Sequence, residues 1–198
     1  MNARLPGLCR LPMTVKSTTS SSYVALLRGV NVGGKHILPM KDLVEVCLAT
    51  KCENVRTYIQ SGNVVFAAPE KTAGLLAPVL ARKIEERFGF AVPVILRSRE
   101  QLEKVIRNNP FLKAGREEKT LHVSFLADTP TAAAIKTLDP NRSAPDEFRV
   151  LGSEIYFYLP NGAGKSKLTN AYFDTRLATI GTVRNWATVL KLLAMMDA

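Results

Sequence analysis

Residues 23–29 read YVALLRG, a short run that is apolar at almost every position. Such a run predicts a β-strand that is buried on both faces, because a strand with one wet face alternates apolar and polar residues. Helices on one side of a sheet cover only one of its faces. The strand therefore predicts that another part of the chain packs against the second face.

The segments that follow this strand predict an α+β lobe. An apolar stripe at helical spacing begins after Pro39, and a helix with apolar residues four apart stops at Gly89, which suits a left-handed cap. Two strands between these helices are joined by a turn at Ser61 and Gly62, and a further strand occupies residues 92–98. This strand-helix-strand-strand-helix-strand order is typical of the ferredoxin-like βαββαβ unit.

The rest of the chain predicts a related second lobe. Residues 119–128 predict a strand, Pro130 opens a short alanine-rich helix, and two strands meet at a two-residue turn of Gly152 and Ser153. The chain from residue 168 onward predicts helices alone. We therefore expect a βαββα order with C-terminal helices. The two halves are candidate structural repeats, without convincing identity between their residues.

The N-terminal segment is expected to stand outside both lobes. Residues 1–22 contain three cations, no acid and a run of Ser and Thr, and they lack the apolar centre of a secretory signal. We expect a disordered extension at 1–22, a ferredoxin-like α+β lobe at 23–98, and a second α+β lobe with the C-terminal helix at 99–198. Met13 is an alternative start of the chain.

Composition limits the classes of function. The 198 residues include 27 Lys and Arg against 17 Asp and Glu, a formal net charge of +10. This excess suits either self-repulsion in solution or a polyanionic partner, such as nucleic acid or a phosphorylated ligand. No apolar run is long enough to cross a membrane, and three cysteines with two histidines give no zinc motif. We expect a cytoplasmic protein with no metal and no cofactor.

The sequence LPNGAGKSKL, residues 159–168, resembles the end of a nucleotide-binding P-loop. A P-loop requires glycine five residues before Gly164, and Leu159 occupies that position. The preceding strand is also predicted to be the second arm of a tight hairpin, whereas a P-loop follows a parallel strand. The segment therefore predicts no NTPase, although its glycines with Lys165 and Lys167 can still hold an anion. A glycine turn with solvated lysines is the alternative.

Two further chemistries find little support in the sequence. RNA-recognition domains stack bases on aromatic residues of the third strand, but Asn63 and Val65 occupy the corresponding positions here. For nucleophilic catalysis the base would be His36 or His122, and neither lies in a nucleophile motif. His122 is expected to lie at the edge of the core with its hydrogen bond satisfied.

Six blocks of the chain carry a family resemblance: YVALLRGVNVGGKHILPMKDL, ENVRTYIQSGNVVF, NPF, LHVSFL, GAGKSKL and GTVRNWATVLKL. In order and spacing they resemble the blocks of a bacterial domain-of-unknown-function family, number 1697, from about residue 23 to residue 193. The resemblance implies a compact cytoplasmic protein with a two-lobed α+β structure that contains a ferredoxin-like unit. It implies no established reaction, substrate or cofactor. His36 and Ala187 depart from the family, where asparagine is usual.

Four of these blocks combine amide or hydroxyl donors with a cation or a glycine, and acids are rare in them. This chemistry favours charge-assisted hydrogen bonds to phosphate oxygens. In an isolated βαββαβ unit we expect the loop after the first strand and the next hairpin to lie at opposite or diagonal ends, so convergence needs the second lobe. Separate roles in caps and turns are the alternative. The candidate ligand-binding residues are Arg28, Asn31, Gly33, Gly34, Lys35, Gln60, Ser61, Asn63, Lys165, Ser166, Lys167, Arg184, Asn185 and Trp186.

Together these features predict a non-hydrolytic binder of a phosphate-bearing ligand, with nucleic acid as the broadest case. One alternative is an enzyme that acts on a small phosphorylated metabolite, with His122 or an unidentified carboxylate moving the proton. The other is an interaction module whose basic face binds an acidic protein. The sequence makes no prediction of catalytic residues or of the oligomeric state. The phosphate oxygens would be held by Arg28, Lys35, Lys165, Lys167 and Arg184.

Overall fold

The computed structural model describes residues 20–197, in which one order of elements occurs twice. The first repeat contains β1 (Ser20–Leu27), α1 (Met40–Ala49), β2 (Glu53–Tyr58), β3 (Asn63–Pro69), α2 (Glu70–Phe88), β4 (Val94–Ser98) and α3 (Arg99–Arg107). A short helix, α4 (Pro110–Lys113), leads to the second repeat. That repeat contains β5 (Leu121–Leu126), α5 (Ala132–Lys136), β6 (Glu147–Leu151), β7 (Glu154–Tyr158), α6 (Asn170–Leu177), β8 (Gly181–Asn185) and α7 (Trp186–Met196). We call the two repeats the first and the second lobe.

Each lobe contains a four-stranded antiparallel sheet with the same strand order. The first sheet has the order β2-β3-β1-β4, and the second has the order β6-β7-β5-β8. The register agrees as well, because Leu27 at the end of β1 pairs with Val94, and Leu126 at the end of β5 pairs with Gly181. The α+β class, the two lobes and the ferredoxin-like order of the first lobe are confirmed.

The second lobe departs from the predicted βαββα order by one element. The segment Gly181–Asn185, predicted as part of a helical region, forms the edge strand β8 and pairs with β5. The β-branched residues Thr182 and Val183 suit a strand. Asn185 then begins α7, since its side chain accepts a hydrogen bond from the N–H of Thr188 at 2.8 Å. The second lobe is therefore βαββαβ followed by a helix, as is the first.

The strand β1 is buried on both faces, as its apolar sequence predicts. Its odd-numbered residues from Tyr23 to Leu27 pack beneath α1 and α2, whereas Val24 and Leu26 face the second lobe. The strand begins at Ser20, three residues earlier than predicted, since residues 20–22 continue the antiparallel pairing with β3. The remainder of the predicted extension, residues 1–19, lies outside the described residues.

The two lobes share one core. α3 and α7 contact each other, and the apolar cluster around them joins Val24 and Leu26 of the first sheet to Val123 and Phe125 of the second. α5 and α6 cover the outer face of the second sheet. Within residues 20–197, therefore, both faces of both sheets are covered. This arrangement leaves no open sheet face for the base stacking of an RNA-recognition domain.

Candidate functional site

Three of the four predicted segments meet where the lobes join. Arg184 on β8 reaches across to the first lobe and donates to the backbone oxygens of Leu27, at 2.8 Å, and Ser61, at 3.2 Å. Its Nε donates to Oδ1 of Asn63 at 2.5 Å. The end of β1, the β2–β3 hairpin and β8 therefore form one junction, which we call the arginine junction.

The antiparallel pairing of β1 with β3 explains this convergence. The N–H of Leu27 donates to the backbone oxygen of Gly62 in the hairpin at 2.8 Å. The loop after β1 and the hairpin therefore lie at the same end of the sheet, and the opposite or diagonal placement expected from the sequence is wrong. Asn31 links this loop to the hairpin, because its side-chain amide donates to the backbone oxygens of Gln60 and Leu38.

The protein itself uses all the N–H donors of Arg184. Besides the contacts above, Nη1 donates to the Thr182 hydroxyl and to the Val183 backbone oxygen, both at 2.8 Å. None of these partners is a carboxylate. Burial lowers the pKa of Arg184 to about 10, so the group stays charged at neutral pH. With its donors occupied, Arg184 holds the lobes together and has no N–H left for a ligand phosphate.

Arg97 on β4 makes the equivalent contacts in the opposite direction. Its guanidinium donates to the backbone oxygens of Leu126, at 2.8 Å, and Ser153, at 3.2 Å, at the end of β5 and in the β6–β7 turn. It also forms a salt bridge of 2.9 Å with Glu154. In each lobe, therefore, an arginine on the fourth strand extends into the other lobe and hydrogen-bonds there. Of the two arginines, Arg97 has a carboxylate partner and Arg184 has an amide in its place.

The other predicted residues of the junction also have structural roles. Arg28 forms a salt bridge with Asp174 at 2.6 Å and donates to the backbone oxygen of Gly181 at 3.0 Å. Asn185 caps α7, and the Trp186 side chain is buried in the shared core. The alternative interpretation, separate roles in caps and packing, therefore accounts for these residues.

Residues 31–36 form a small β-hairpin in the loop after β1. Val32 and Lys35 pair across Gly33 and Gly34, whose φ angles are 57° and 72°. Positive φ at both central positions is what a type I′ turn requires, which explains the two glycines. Lys35 is exposed next to this turn, and among residues 20–197 it has no carboxylate partner. Its ammonium group is therefore open to a ligand.

The fourth predicted segment, GAGKSK, lies away from the arginine junction. β7 runs antiparallel to β5, which confirms that the segment is not a P-loop. Arg184 pairs with Val123 of β5, but its guanidinium turns to the inner face, where it contacts Leu27 and Ser61 of the first lobe. Ala163 and Ser166 of the segment instead border a hollow with Phe157, on the outer face of the second sheet. The segment and the guanidinium therefore lie at opposite faces of this sheet, and Lys165 does not share with Arg184 the single cleft that the site hypothesis required.

Two loops of the second lobe form a cationic surface around GAGKSK. Arg142 donates through Nε to the backbone oxygen of Lys167 at 3.1 Å, and the N–H of Lys167 donates to Oγ of Ser143 at 3.0 Å. Arg142 also lies over the ring of Tyr172, 4.1 Å from its centroid. In the described part of the chain, the exposed residues Arg142, Lys165 and Lys167 have no carboxylate partner. We call these three residues and Tyr172 the basic loop surface.

His122 lies on the face of the second sheet beneath α5 and α6. It pairs with Phe157 and Asn185, and within the described residues its Nδ1 has no hydrogen-bond partner. Burial lowers its pKa, against an opposing hydrogen bond with the backbone of Thr120. Phe157 also borders a hollow of about 170 Å³ that Ser166 lines from the GAGKSK loop. The satisfied hydrogen bond expected from the sequence is therefore missing at Nδ1.

The described part of the chain contains neither a metal-binding cluster nor a helix able to span a membrane. Residues 20–197 contain no cluster of three His, Cys, Asp or Glu side chains that could hold a metal ion. Each helix in that range is too short or too polar to cross a lipid bilayer.

Known proteins resemble this chain at the level of sequence and of fold. The family described as "Protein of unknown function (DUF1697)" matches residues 21–156. The chain belongs to this family. A solved structure, that of the conserved bacterial protein SP0830 from Streptococcus pneumoniae, covers 90% of this chain and 99% of its own at 23% identity, with a TM-score of 0.69. That likeness shows a common fold. No curated protein matches the chain.

Three residues that stand out in this DUF1697 structure were missed in the sequence. Arg97 precedes the capping residue of α3 just as Arg184 precedes that of α7, so an alignment of the two repeats on their helix caps would have revealed it. Arg142, in the loop before β6, and Tyr172, on α6, come together only through tertiary packing. No local pattern indicates that contact.

Proposed function

We propose that this DUF1697 protein binds a phosphate-bearing ligand at the basic loop surface and does not hydrolyse it. The observation that carries the proposal is that Arg142, Lys165 and Lys167 are exposed cations on two loops hydrogen-bonded to each other. Charge-assisted hydrogen bonds from such groups hold phosphate oxygens. Because the two loops are fixed to each other, the three cations present a common surface to one ligand.

Nucleic acid is the broadest ligand of this kind. Tyr172 supports the guanidinium of Arg142 from one side, at 4.1 Å from the ring centroid, and leaves a planar cation for contact on the other. Bases stack on arginine and aromatic planes with little dependence on sequence. A single strand, whose bases are free to stack, therefore fits the basic loop surface better than a duplex does.

We also propose that the protein is cytoplasmic. Cys47 and Cys52 are buried free thiols, and burial raises the pKa of Cys47 to about 12. Thiols that stay unpaired are typical of a reducing compartment. Nucleic acids and phosphorylated metabolites are available to the protein there.

The double variant Lys165→Ala/Lys167→Ala tests the proposal. Binding of a labelled single-stranded oligonucleotide would be followed by fluorescence anisotropy over a series of salt concentrations. The loss of two phosphate contacts should weaken binding at low salt. It should also reduce the slope of log K against log salt by about 1.4, because each contact to a single strand contributes about 0.7.

The control is the double variant Lys41→Ala/Lys71→Ala, which removes the same charge from two exposed lysines of α1 and α2. We expect it to change the affinity much less, because these lysines lie on the first lobe. If the two variants lose the same affinity, binding depends on the net charge of the protein alone. That result would contradict the proposal that the ligand binds at the basic loop surface. The absence of oligonucleotide binding by the unaltered protein at low salt would also contradict the nucleic-acid form of the proposal.

A further inference from the structure

A groove between the lobes lies outside the basic loop surface. It has a volume of about 360 Å³ and is bounded by α3, the β6–β7 hairpin and Thr129, which follows β5. α3 contributes Gln101, Lys104 and Asn108, which are spaced three and four residues apart and therefore share one face of that helix and its C-cap. We call this feature the inter-lobe groove.

Four polar side chains that line the groove have a donor without a protein partner among residues 20–197: Gln101, Lys104, Asn108 and Thr129. The other donors of the lining, on Arg97, Ser153 and Tyr156, are bound to protein oxygens. Lys104 is exposed and, among residues 20–197, has no carboxylate partner. Gln101, which lines the groove, uses its oxygen to accept the N–H of Ser98 at 2.8 Å, and its NH₂ group has no protein partner in the described range. The carboxylate of Glu154 also lines the groove, but Arg97 neutralises it at 2.9 Å. The groove therefore has one uncompensated positive charge, on Lys104.

The two lobes differ at the position of the inter-lobe groove, although their helices and strands correspond. Lys104 of α3 and Lys191 of α7 each lie six residues after the helix-capping residue. In the first lobe, Val30 after β1 is buried against the β2–β3 hairpin. The corresponding residue of the second lobe is Thr129, which is exposed. The connection from β5 to α5 spans residues 127–131, against 28–39 in the first lobe, and the shorter connection leaves the groove open.

From this geometry we propose that the inter-lobe groove binds a small organic anion through its carboxylate or phosphate group. The ammonium of Lys104, the hydroxyl of Thr129 and the side-chain amide of Asn108 supply the donors. Charge-assisted hydrogen bonds to a carboxylate or phosphate are the strongest that these groups form. The groove also falls within the size range of small-molecule sites, about 300 to 1,000 Å³. This site is separate from the basic loop surface and does not depend on the function proposed there.

Two titrations of the ¹⁵N-labelled full chain, followed by NMR, test the groove. Inorganic phosphate and acetate are added separately, so that the two anion classes are distinguished. We expect at least one of them to shift the backbone amides of Asn108, Thr129 and Gly152, which border the groove. The variant Lys104→Ala should weaken that binding about tenfold or more, since a hydrogen bond to a charged group is lost.

The variant Lys191→Ala is the matched control, because it removes an exposed lysine at the equivalent position of α7. It should bind the same anion with the affinity of the unaltered protein, as should Lys165→Ala/Lys167→Ala. The proposal is overturned if neither anion shifts the groove amides. It is likewise overturned if Lys104→Ala and Lys191→Ala bind the anion equally well.

Discussion

Arg184 is a buried cation whose hydrogen-bond partners are all uncharged. Five oxygens from both lobes accept its N–H groups, and Asn63 occupies the position at which Arg97 meets Glu154. Removing the guanidinium would take a donor from each of these oxygens, and the contacts to Asn63, Thr182 and Leu27 are fully buried. A buried acceptor that loses its partner costs about 1 to 3 kcal/mol.

The variant Arg184→Met should therefore lower the free energy of unfolding by about 3 kcal/mol. Chemical denaturation followed by circular dichroism measures this change. Arg176→Met is the control, since Arg176 is exposed on α6, and it should change the free energy by less than about 0.5 kcal/mol. Similar values for the two variants would show that the contacts of Arg184 do not hold the lobes together.

Among the elements, the β2–β3 hairpin depends on a glycine for two reasons. Gly62 has a φ of 70°, and a Cβ at that position would lie 2.6 Å from Cβ of Leu27 and 2.6 Å from Cγ2 of Val30. Gly152 in the corresponding β6–β7 hairpin has a φ of 64°, but a Cβ there would meet nothing closer than Glu154 at 3.9 Å. The two glycines thus share the backbone conformation and differ in the space around them.

Alanine substitutions of Gly62 and Gly152 should separate the cost of backbone strain from the cost of steric overlap between side chains. Gly152→Ala should cost about 1 kcal/mol from the left-handed conformation alone. Gly62→Ala should cost about 3 kcal/mol, because overlap with Leu27 and Val30 is added. Denaturant unfolding of both variants gives the comparison. Equal losses would mean that the end of β1 and the loop after it move aside at little cost.

Most elements could be predicted because their signals are local. The apolar run of β1 predicted a strand that is covered on both faces, and the Ser98 and Gln101 side chains form the capping box typical of a helix start at α3. β8 could not be predicted in this way. It has five residues between two helices, and its pairing partner β5 lies more than fifty residues earlier in the chain. Its stability comes from that distant partner, which local periodicity does not reveal.

The candidate site was predictable only in part, for a similar reason. The sequence indicated which loops carry cations, glycines and amides. It could not indicate that Arg184 donates its hydrogen bonds to Leu27, Ser61 and Asn63, or that Arg142 lies beside Lys167. Whether a cation is free for a ligand depends on which acceptors the tertiary fold brings to it. Residue types alone leave that open.

At the scale of the whole molecule, the two lobes are joined by reciprocal contacts. Arg97 extends from the first lobe to the second, and Arg184 extends from the second to the first. The apolar cluster around α3 and α7 contains residues of both sheets. Neither lobe covers the inner face of its sheet by itself. The apolar character of β1 is therefore explained by the presence of the second lobe.

A shared core implies that the lobes unfold together. Leu80 on α2 is buried against the outer face of the first sheet, far from the second lobe, and Leu80→Ala should cost about 3 kcal/mol. If the lobes are coupled, the variant unfolds in one transition at lower denaturant, with the same midpoint by far-ultraviolet circular dichroism and by fluorescence of Trp186, the single tryptophan, on α7. Leu177→Ala, on the outer face of the second sheet, is the matched control and should also give one transition. A two-step curve for Leu80→Ala, with fluorescence changing only in the later step, would show that the first lobe unfolds alone and that the arginine contacts do not couple the two sheets.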